Sequence, residues 1–353
     1  MLNMNKNFST PQTIVDQLES NKPVVLVTIV EIRGSSPRHA GAKMIVSSDD
    51  GTWGTIGGSV FEAKSIERAG EVIKTGKPEI LEFEFNENTP DGMVCGGRGT
   101  VLLDYIEADQ KNLELFRKWV ESARAGESFY YLVQIKGREG AASVAGRSLL
   151  LRNGTLFGTI DLTPAQLETI KSEARHISDT TIIPMSDSRI VADPVKKLQT
   201  LYLIGAGHVA IPTAHIAATI GFRLEVIDDR EEFANKGRFP EAERVHIIKN
   251  FKTALDGLDI DGDSYIVIMT RGHTYDQEVL EQALKTPAFY IGMISSRNKR
   301  ESIYQALQTK NISRKELERV HSPIGIDIGS ETPEEIAVSI AAELIKVRAG
   351  LEP

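Results

Sequence analysis

The residues of this chain whose types and spacing could do chemistry sit in short clusters, most of them rich in glycine or in cations. The most specific is Gly205-Ala206-Gly207-His208-Val209-Ala210, a G-x-G-x-x-A turn between an apolar run, Leu201 to Ile204, and a small-residue helix pattern. In such a turn the first glycine makes the bend, the second lets a phosphate approach the backbone, and the third small residue keeps helix and strand close. Asp228 and Asp229 end the next apolar run, Phe222 to Ile227, and Asp228 follows Gly207 by 21 positions, where a ribose hydroxyl is met. The pattern predicts a nucleotide-type pocket rather than a purely structural turn, and it predicts no particular reaction.

Further clusters follow strands. Arg297, Lys299 and Arg300 open a helix after the run Phe289 to Ile294. Cations in a first helical turn oppose the dipole, so an anion contact is expected there, with a solvated charge run as the plain alternative. Arg271 and His273 follow the strand pattern Ser264 to Met269. Nearer the N-terminus, Gly57 and Gly58 precede a helix pattern that Ser59 and Glu62 would close as a capping box. Such a turn is either a tight strand-to-helix link or a set of free amides open to an anion, with Arg38 and Lys43 one hairpin away to add charge. Cys95, the one cysteine, heads a glycine cluster with Gly96, Gly97 and Gly99 beside Arg98. A lone cysteine is commonly a buried hydrophobe, but these neighbours allow close backbone approach and favour a thiolate.

The elements that must position these groups are legible from period and punctuation. Residues 23–32 (PVVLVTIVEI) form a nearly continuous apolar strand pattern, hence one buried on both faces. Thr10-Pro11 predicts the start of a short helix ending near Ser20; Gln110 to Ala125 is helical, with Leu113, Phe116, Trp119, Val120 and Ala123 on one face. Thr163-Pro164-Ala165-Gln166 and Thr332-Pro333-Glu334-Glu335 read as capped helix starts, and Arg152-Asn153-Gly154 as a hairpin turn. Strand patterns alternating with helices after residue 200 predict a doubly wound parallel sheet of Rossmann type; the first half predicts a mixed α/β domain. The expected boundaries are an N-terminal domain over 1–187, a linker over 188–199 and a C-terminal domain over 200–353.

Composition narrows the classes. At 353 residues two domains are the natural expectation. A net charge of −8 argues against nucleic acid as the main partner, and one cysteine excludes an intrachain disulfide or a cysteine-built zinc site. The first residues lack the apolar core of a signal peptide and no apolar run spans a bilayer, so a cytoplasmic protein is expected, with no membrane partner.

Taken together, GSSPRHAGAKMIV, GTIGGSVFEA, MVCGG, LYLIGAGHVAIPTA, VIDDREEFA, IVIMTRGHTYDQEVL, YIGMISSRNKRESI and SPIGIDIGSETPEEIAVSIAAELI resemble the XdhC/CoxI family, the xanthine dehydrogenase accessory factors. The resemblance implies a maturation factor that binds the molybdenum cofactor, as molybdopterin or its nucleotide form. Such a factor supports sulfuration with a cysteine desulfurase and delivers the cofactor to a xanthine-dehydrogenase-type molybdenum hydroxylase, commonly as a homodimer. By motif it places Gly57 and Gly58 in the N-terminal glycine motif and Cys95, Gly96 and Gly97 in the CGG motif. It places Gly205, Gly207 and His208 in the GAGH turn, and Asp228, Asp229 and Arg230 at the DDR position. Relatives of the CoxI type carry a cysteine in the first glycine motif, where this chain reads GGSVFE, so only Cys95 can offer sulfur, as a molybdenum ligand or relay. Arg271 stands where many relatives have histidine, which weakens a metal role for His273.

The expected function is a chaperone-like binder in which backbone amides and cations of both halves grip a phosphorylated molecule. The rival is an NAD(P)-dependent oxidoreductase, in which Asp228 would favour NAD; no tyrosine has a lysine four residues on, so the short-chain dehydrogenase pair is absent. A scaffold that binds no ligand is a third reading. A metal enzyme built from His39, His208 and His273 lacks any H-E-x-x-H spacing.

Overall fold

Alternation in the first apolar strand decides the architecture of the N-terminal half. In the computed structural model, which describes residues 6–34, 39–49, 51–85, 97–137 and 143–351, the chain forms two units, Lys6–Lys197 and a second beginning at Leu198. The first unit runs α1 (Lys6–Glu19), β1 (Val24–Arg33), β2 (Lys43–Ser47), β3 (Thr52–Gly54), α2 (Ser59–Thr75), β4 (Glu79–Phe85), β5 (Gly97–Ile106) and α3 (Gln110–Arg124). It continues with β6 (Phe129–Lys136), β7 (Ser143–Leu151), β8 (Leu156–Gly158), α4 (Pro164–Ala174), β9 (Thr181–Pro184) and β10 (Arg189–Val195).

Two antiparallel sheets result, ordered β3-β2-β1-β5-β4 and β8-β7-β6-β10-β9. Successive β1 residues point to opposite faces. Val25, Val27 and Ile29 pack with Phe61, Ala69 and Val72 of α2. Val24, Leu26 and Val30 join Ile14 and Leu18 of α1, Phe116 and Trp119 of α3, and Tyr131 and Val133 of the second sheet. The second sheet's other face closes on Ile170 and Ala174 of α4. Buried ions tie the sheets together. Asp104 on β5 accepts from Nε of Arg147 on β7 at 2.9 Å, and Lys43 on β2 lies 2.8 Å from Asp193 on β10.

The expected linker is corrected. Residues 189–195 form β10 in the interior of the second sheet, pairing with β6 along its whole length and with β9 only over Arg189–Ala192. Pro194 is tolerated because it lies beyond the β9 pairing, where the missing N–H leaves no ladder bond unmade on that side. The unit boundary falls between Lys197 and Leu198. A smaller difference concerns α1, which begins at Lys6, so Pro11 falls inside it rather than at its start.

The second unit runs β11 (Thr200–Ile204), α5 (Ala210–Thr219), β12 (Arg223–Asp228), β13 (Arg244–Ile247), β14 (Ser264–Ile268), α6 (His273–Ala283) and β15 (Tyr290–Met293). It ends with α7 (Arg297–Gln308), α8 (Arg314–Leu317), β16 (Val320–His321) and α9 (Pro333–Arg348). All pairings are parallel in the order β13-β12-β11-β14-β15-β16. This is the doubly wound order whose direction reverses between the first strand and the fourth, here β11 and β14. α5 and α9 cover one face through Ala210, Ala214, Ala217, Ile340 and Leu344. α6 and α7 cover the other through Val279, Leu280, Ile303 and Leu307. Glu343 of α9 accepts from Tyr290 Oη and Gly325 N, each at 2.6 Å, and anchors the loop after β16 over the same sheet.

Candidate ligand-binding site

The reversal between β11 and β14 opens a crevice at the strands' carboxyl ends, and the glycine turn enters it. Gly205 must be glycine. Its φ is +112°, and a Cβ there would lie 2.3 Å from the Met269 carbonyl oxygen on the neighbouring strand. Gly207 is different, because a Cβ would meet nothing within 4 Å, so that side of the turn is open. α5 begins with no side-chain cap on its first N–H groups, which leaves them to water or an anion. His208 is exposed beside them, as is Arg297 at the start of α7, and neither has a side-chain partner among the described residues.

The carboxylates of the crevice are engaged. Asp228 is 1% exposed; its Oδ1 accepts from Arg230 N at 3.1 Å and Arg230 Nε at 2.9 Å, and its Oδ2 from Ala206 N at 2.8 Å and Arg230 Nη2 at 3.1 Å. A carboxylate has about four acceptor positions, so all are filled. Asp228, expected to meet a ribose hydroxyl, here ties the end of β12 to the glycine turn, with Arg230 as its counter-ion. Asp229 receives both terminal nitrogens of Arg271, Nη2 at 2.7 Å from Oδ2. That hydrogen bonding with Arg271 holds the Asp229 carboxyl below its ordinary range. The Arg271 guanidinium in turn lies 4.6 Å from the Tyr275 ring centroid and 5.6 Å from that of Phe251.

The cation cluster on α7 divides. Lys299 pairs with Asp276, which is fully buried and also accepts from Thr270 N and Oγ1. Arg300 donates to the Ser322 carbonyl at 2.8 Å and to Glu301. Of the three cations expected at one anion, Lys299 and Arg300 have internal partners, and Arg297 is the one without a carboxylate partner among the described residues. His273 is exposed at the first position of α6.

In the N-terminal unit two expectations are corrected. Ile56 N and Gly58 N donate to Glu62 Oε2 at 2.9 and 3.1 Å, and Gly57 N donates to Thr55 Oγ1 at 3.1 Å. The chain's own carboxylate sits where an outside anion was expected, and Gly58 replaces Ser59 as the helix cap. Burial works against ionisation of Glu62, but the bonds from Thr55 and these amides outweigh it and lower its pKa. Lys43 is committed to Asp193 and to the Gly41 carbonyl at 3.0 Å. Gly97 begins β5 opposite Phe85. Arg38, Cys95 and Gly96 lie outside the described residues. Among the described residues no group of three or more His, Cys, Asp or Glu could hold a metal ion, and no helix is long and apolar enough to cross a membrane.

Sequence reasoning passed over a second concavity. A cavity of about 620 Å³ in the N-terminal unit is lined from α1, β2, β3, α3 and β10, including Trp53, Trp119, Lys43 and Asp193. Trp119 reads as one more apolar residue of an amphipathic face, and no spacing links it to Trp53 or Asp193; the one available signal is that both tryptophans of the chain fall in this half.

Residues 201–344 match the XdhC Rossmann domain, and residues 17–84 match the XdhC and CoxI family. The chain is 27% identical to the Escherichia coli protein YqeB over 94% of its own length but only 44% of that protein, so it spans less than half of that relative. It is 24% identical to a Bacillus subtilis protein described as a probable subunit of xanthine dehydrogenase, over 95% of this chain and 97% of that one. Identity to the molybdenum cofactor insertion chaperone PaoD of Escherichia coli is 23%, over 95% of this chain and 86% of that one. A crystal structure of a xanthine dehydrogenase from Bacillus halodurans shares the fold, with a TM-score of 0.78, 24% identity, and coverage of 97% of this chain and 96% of the other. The glycine turn, the reversed strand order and both matched segments lead to one conclusion: this chain belongs to the XdhC and CoxI family.

Proposed function

We propose that this protein carries the molybdenum cofactor as cargo, supports its maturation and delivers it to a molybdenum hydroxylase of the xanthine dehydrogenase type. The observation that carries the reading is the state of charge in the Rossmann crevice. Both acids at the end of β12 are matched by arginines, whereas the open turn at Gly207, the uncapped start of α5 and exposed Arg297 and His208 have no carboxylate partner among the described residues. Such a crevice suits a terminal phosphate or diphosphate, where amides and a cation converge on negative charge. Gly205, Gly207, His208 and Arg297 are the residues this reading assigns to the cargo. Further support comes from the names of two relatives, one a molybdenum cofactor insertion chaperone and one a probable subunit of xanthine dehydrogenase.

Partnership with a cysteine desulfurase, pairing as a homodimer, a cytoplasmic setting and a sulfur-relaying or molybdenum-ligating Cys95 belong to the same reading. The alternative, an NAD(P)-dependent oxidoreductase, loses the free ribose acceptor it needs, because Asp228 is filled and Asp229 is held by Arg271. Mass spectrometry of the small molecules released on denaturing the native protein tests the proposal. A phosphorylated pterin is expected, and Arg297→Glu is expected to lower its yield. Release of a nicotinamide dinucleotide, with hydride transfer to alcohols or aldehydes, would establish the alternative instead. Cys95→Ala tests the sulfur role separately: unchanged cargo content and unchanged client activation would remove it.

A further inference from the structure

We infer that the outer face of α9 is a docking surface for a second copy of this chain, the two helices running antiparallel about a two-fold axis. The seam gives the homodimer of the reading above a surface and does not depend on what cargo is carried. α9 is apolar on both sides. Its inner side, with Ala337, Ile340, Ala341 and Leu344, is buried. Its outer side carries Val338, Ala342, Ile345 and Ala349, spaced i, i+4, i+7 and i+11 and so in one line along the helix. Val338 is 50% and Ile345 44% exposed. A helix apolar all round is ordinarily buried all round. Among the described residues, nine large apolar side chains stand exposed; five of them, Ile326, Ile328, Val338, Ile345 and Leu351, lie on α9, on the loop that leads into it or just after it. Single exposed apolar residues are ordinary, whereas gathered ones mark an interaction surface.

The charges at the two ends of the stripe select the occupant. Glu334 and Glu335 stand in the first turn of α9, Lys346 and Arg348 in its last. About an axis at Ala341 and Ala342, an antiparallel copy sets Val338 of one helix opposite Ile345 of the other. Glu334 then comes within a turn of the other copy's Arg348 on one flank, and Glu335 within a turn of its Lys346 on the other flank. A parallel copy would set acids against acids and cations against cations. The stripe is thus complementary to itself in one orientation, as a closed two-fold interface requires. These charges keep capacity for a partner. Glu335 spends Oε2 on the Glu331 and Thr332 amides, which leaves Oε1, and Arg348 spends Nη1 on the Ile220 carbonyl, which leaves Nη2. One 16-residue helix does not by itself supply the roughly 800 Å² per partner of a stable complex. The preceding loop widens the surface: Ile326 N donates to the Ser339 carbonyl at 3.3 Å and Ser339 Oγ to the Ile326 carbonyl at 2.6 Å, which holds the loop against the flank of α9.

Analytical ultracentrifugation of the full-length protein over a range of concentrations tests the seam, with thermal denaturation to show that each variant is folded. The parent is expected to be a dimer. Ile345→Glu, a change at an exposed position, is expected to raise the dissociation constant at least about a hundredfold. Glu334→Lys should weaken pairing about tenfold, and adding Arg348→Glu should recover it, because the swap restores opposite signs across the axis. Cross-linking reports the orientation, in a Cys95→Ser background that removes the native thiol. Ala342→Cys should join two copies on mild oxidation, since residues at the crossing come within the disulfide's Cα reach of about 4.4–6.8 Å. Ala349→Cys should not, because an antiparallel copy carries its own Ala349 to the far end. A parent that is monomeric at every concentration would overturn the inference, whether a client enzyme or nothing covers α9. A dimer indifferent to Ile345→Glu and unlinked through Ala342→Cys pairs by another surface and would overturn it too. Cargo content of the same samples keeps the two ideas apart: a seam in protein that holds no phosphorylated pterin refutes the carrier role alone, and cargo in protein without the seam refutes the seam alone.

Discussion

Arg271 grips Asp229 with both terminal nitrogens, and in doing so joins the loops that follow β12 and β14, the two strands flanking β11. The bridge converts an acid that would attract ribose hydroxyls into half of a neutral pair, next to the turn where a phosphate would rest. Removing either partner should therefore have opposite effects. Arg271→Ala exposes a bare carboxylate and is expected to weaken binding of a phosphate-ended ligand about tenfold, while Asp229→Asn releases a cation and should leave it unchanged or tighter. Titration calorimetry with the released cargo compares the two. The pair also links stability to pH. Because Arg271 depresses the folded pKa of Asp229 below 3.8, its contribution is complete above that value and fades as pH falls through the lower folded pKa. Arg271 is about a third exposed, so solvent screening limits the effect to about 1 kcal/mol or less.

The two glycines of the β11 turn have different reasons to be glycine, and substitution separates them. Gly205→Ala combines positive φ with a backbone clash and should lower unfolding free energy by about 3 kcal/mol or more, or prevent folding. Gly207→Ala should leave the denaturation midpoint nearly unchanged, because its Cβ enters open space, but should weaken phosphate binding. Equal stability of the two variants would contradict the geometry.

Two cations of α7 divide in the same way. Lys299→Met leaves Asp276 buried without its counter-ion and is expected to cost about 2–4 kcal/mol in urea denaturation, less than for a fully buried pair because Lys299 is partly exposed. Arg297→Met should change stability by only about 0.5 kcal/mol and reduce cargo retention. A Lys299 variant as stable as the parent would show that Asp276 is not held by this pair.

Glu62 acts as a built-in anion for the turn before α2. Glu62→Ala should destabilise the protein by about 1–3 kcal/mol, since it orphans the Ile56 and Gly58 amides, and inorganic phosphate should restore part of the loss by occupying the vacated place. Thermal denaturation with and without phosphate measures both. The folded pKa of Glu62 lies below its ordinary 4.5, so its contribution is present above that pH and is lost as pH falls through the lower folded value.

Local chemistry was enough to read much of this molecule from its residues. Thr163 with Gln166 and Thr332 with Glu335 form the capping boxes their spacing announces, and Gly154 turns the hairpin expected of it. The G-x-G-x-x-A turn stands between strand and helix as its pattern requires. These features depend on neighbours a few positions apart, so periodicity and punctuation report them. Which ionisable groups remain available for a ligand was decided only by the tertiary structure. Lys43 finds Asp193, Lys299 finds Asp276 and Asp229 finds Arg271, partners that sequence spacing does not relate. β10 escaped notice because its pairing with β6 and β9, rather than its own composition, makes it a strand. Trp53 and Trp119 share a cavity for the same reason: electrostatic pairing and enclosure are properties of distance in space, and a linear pattern carries distance only along the chain.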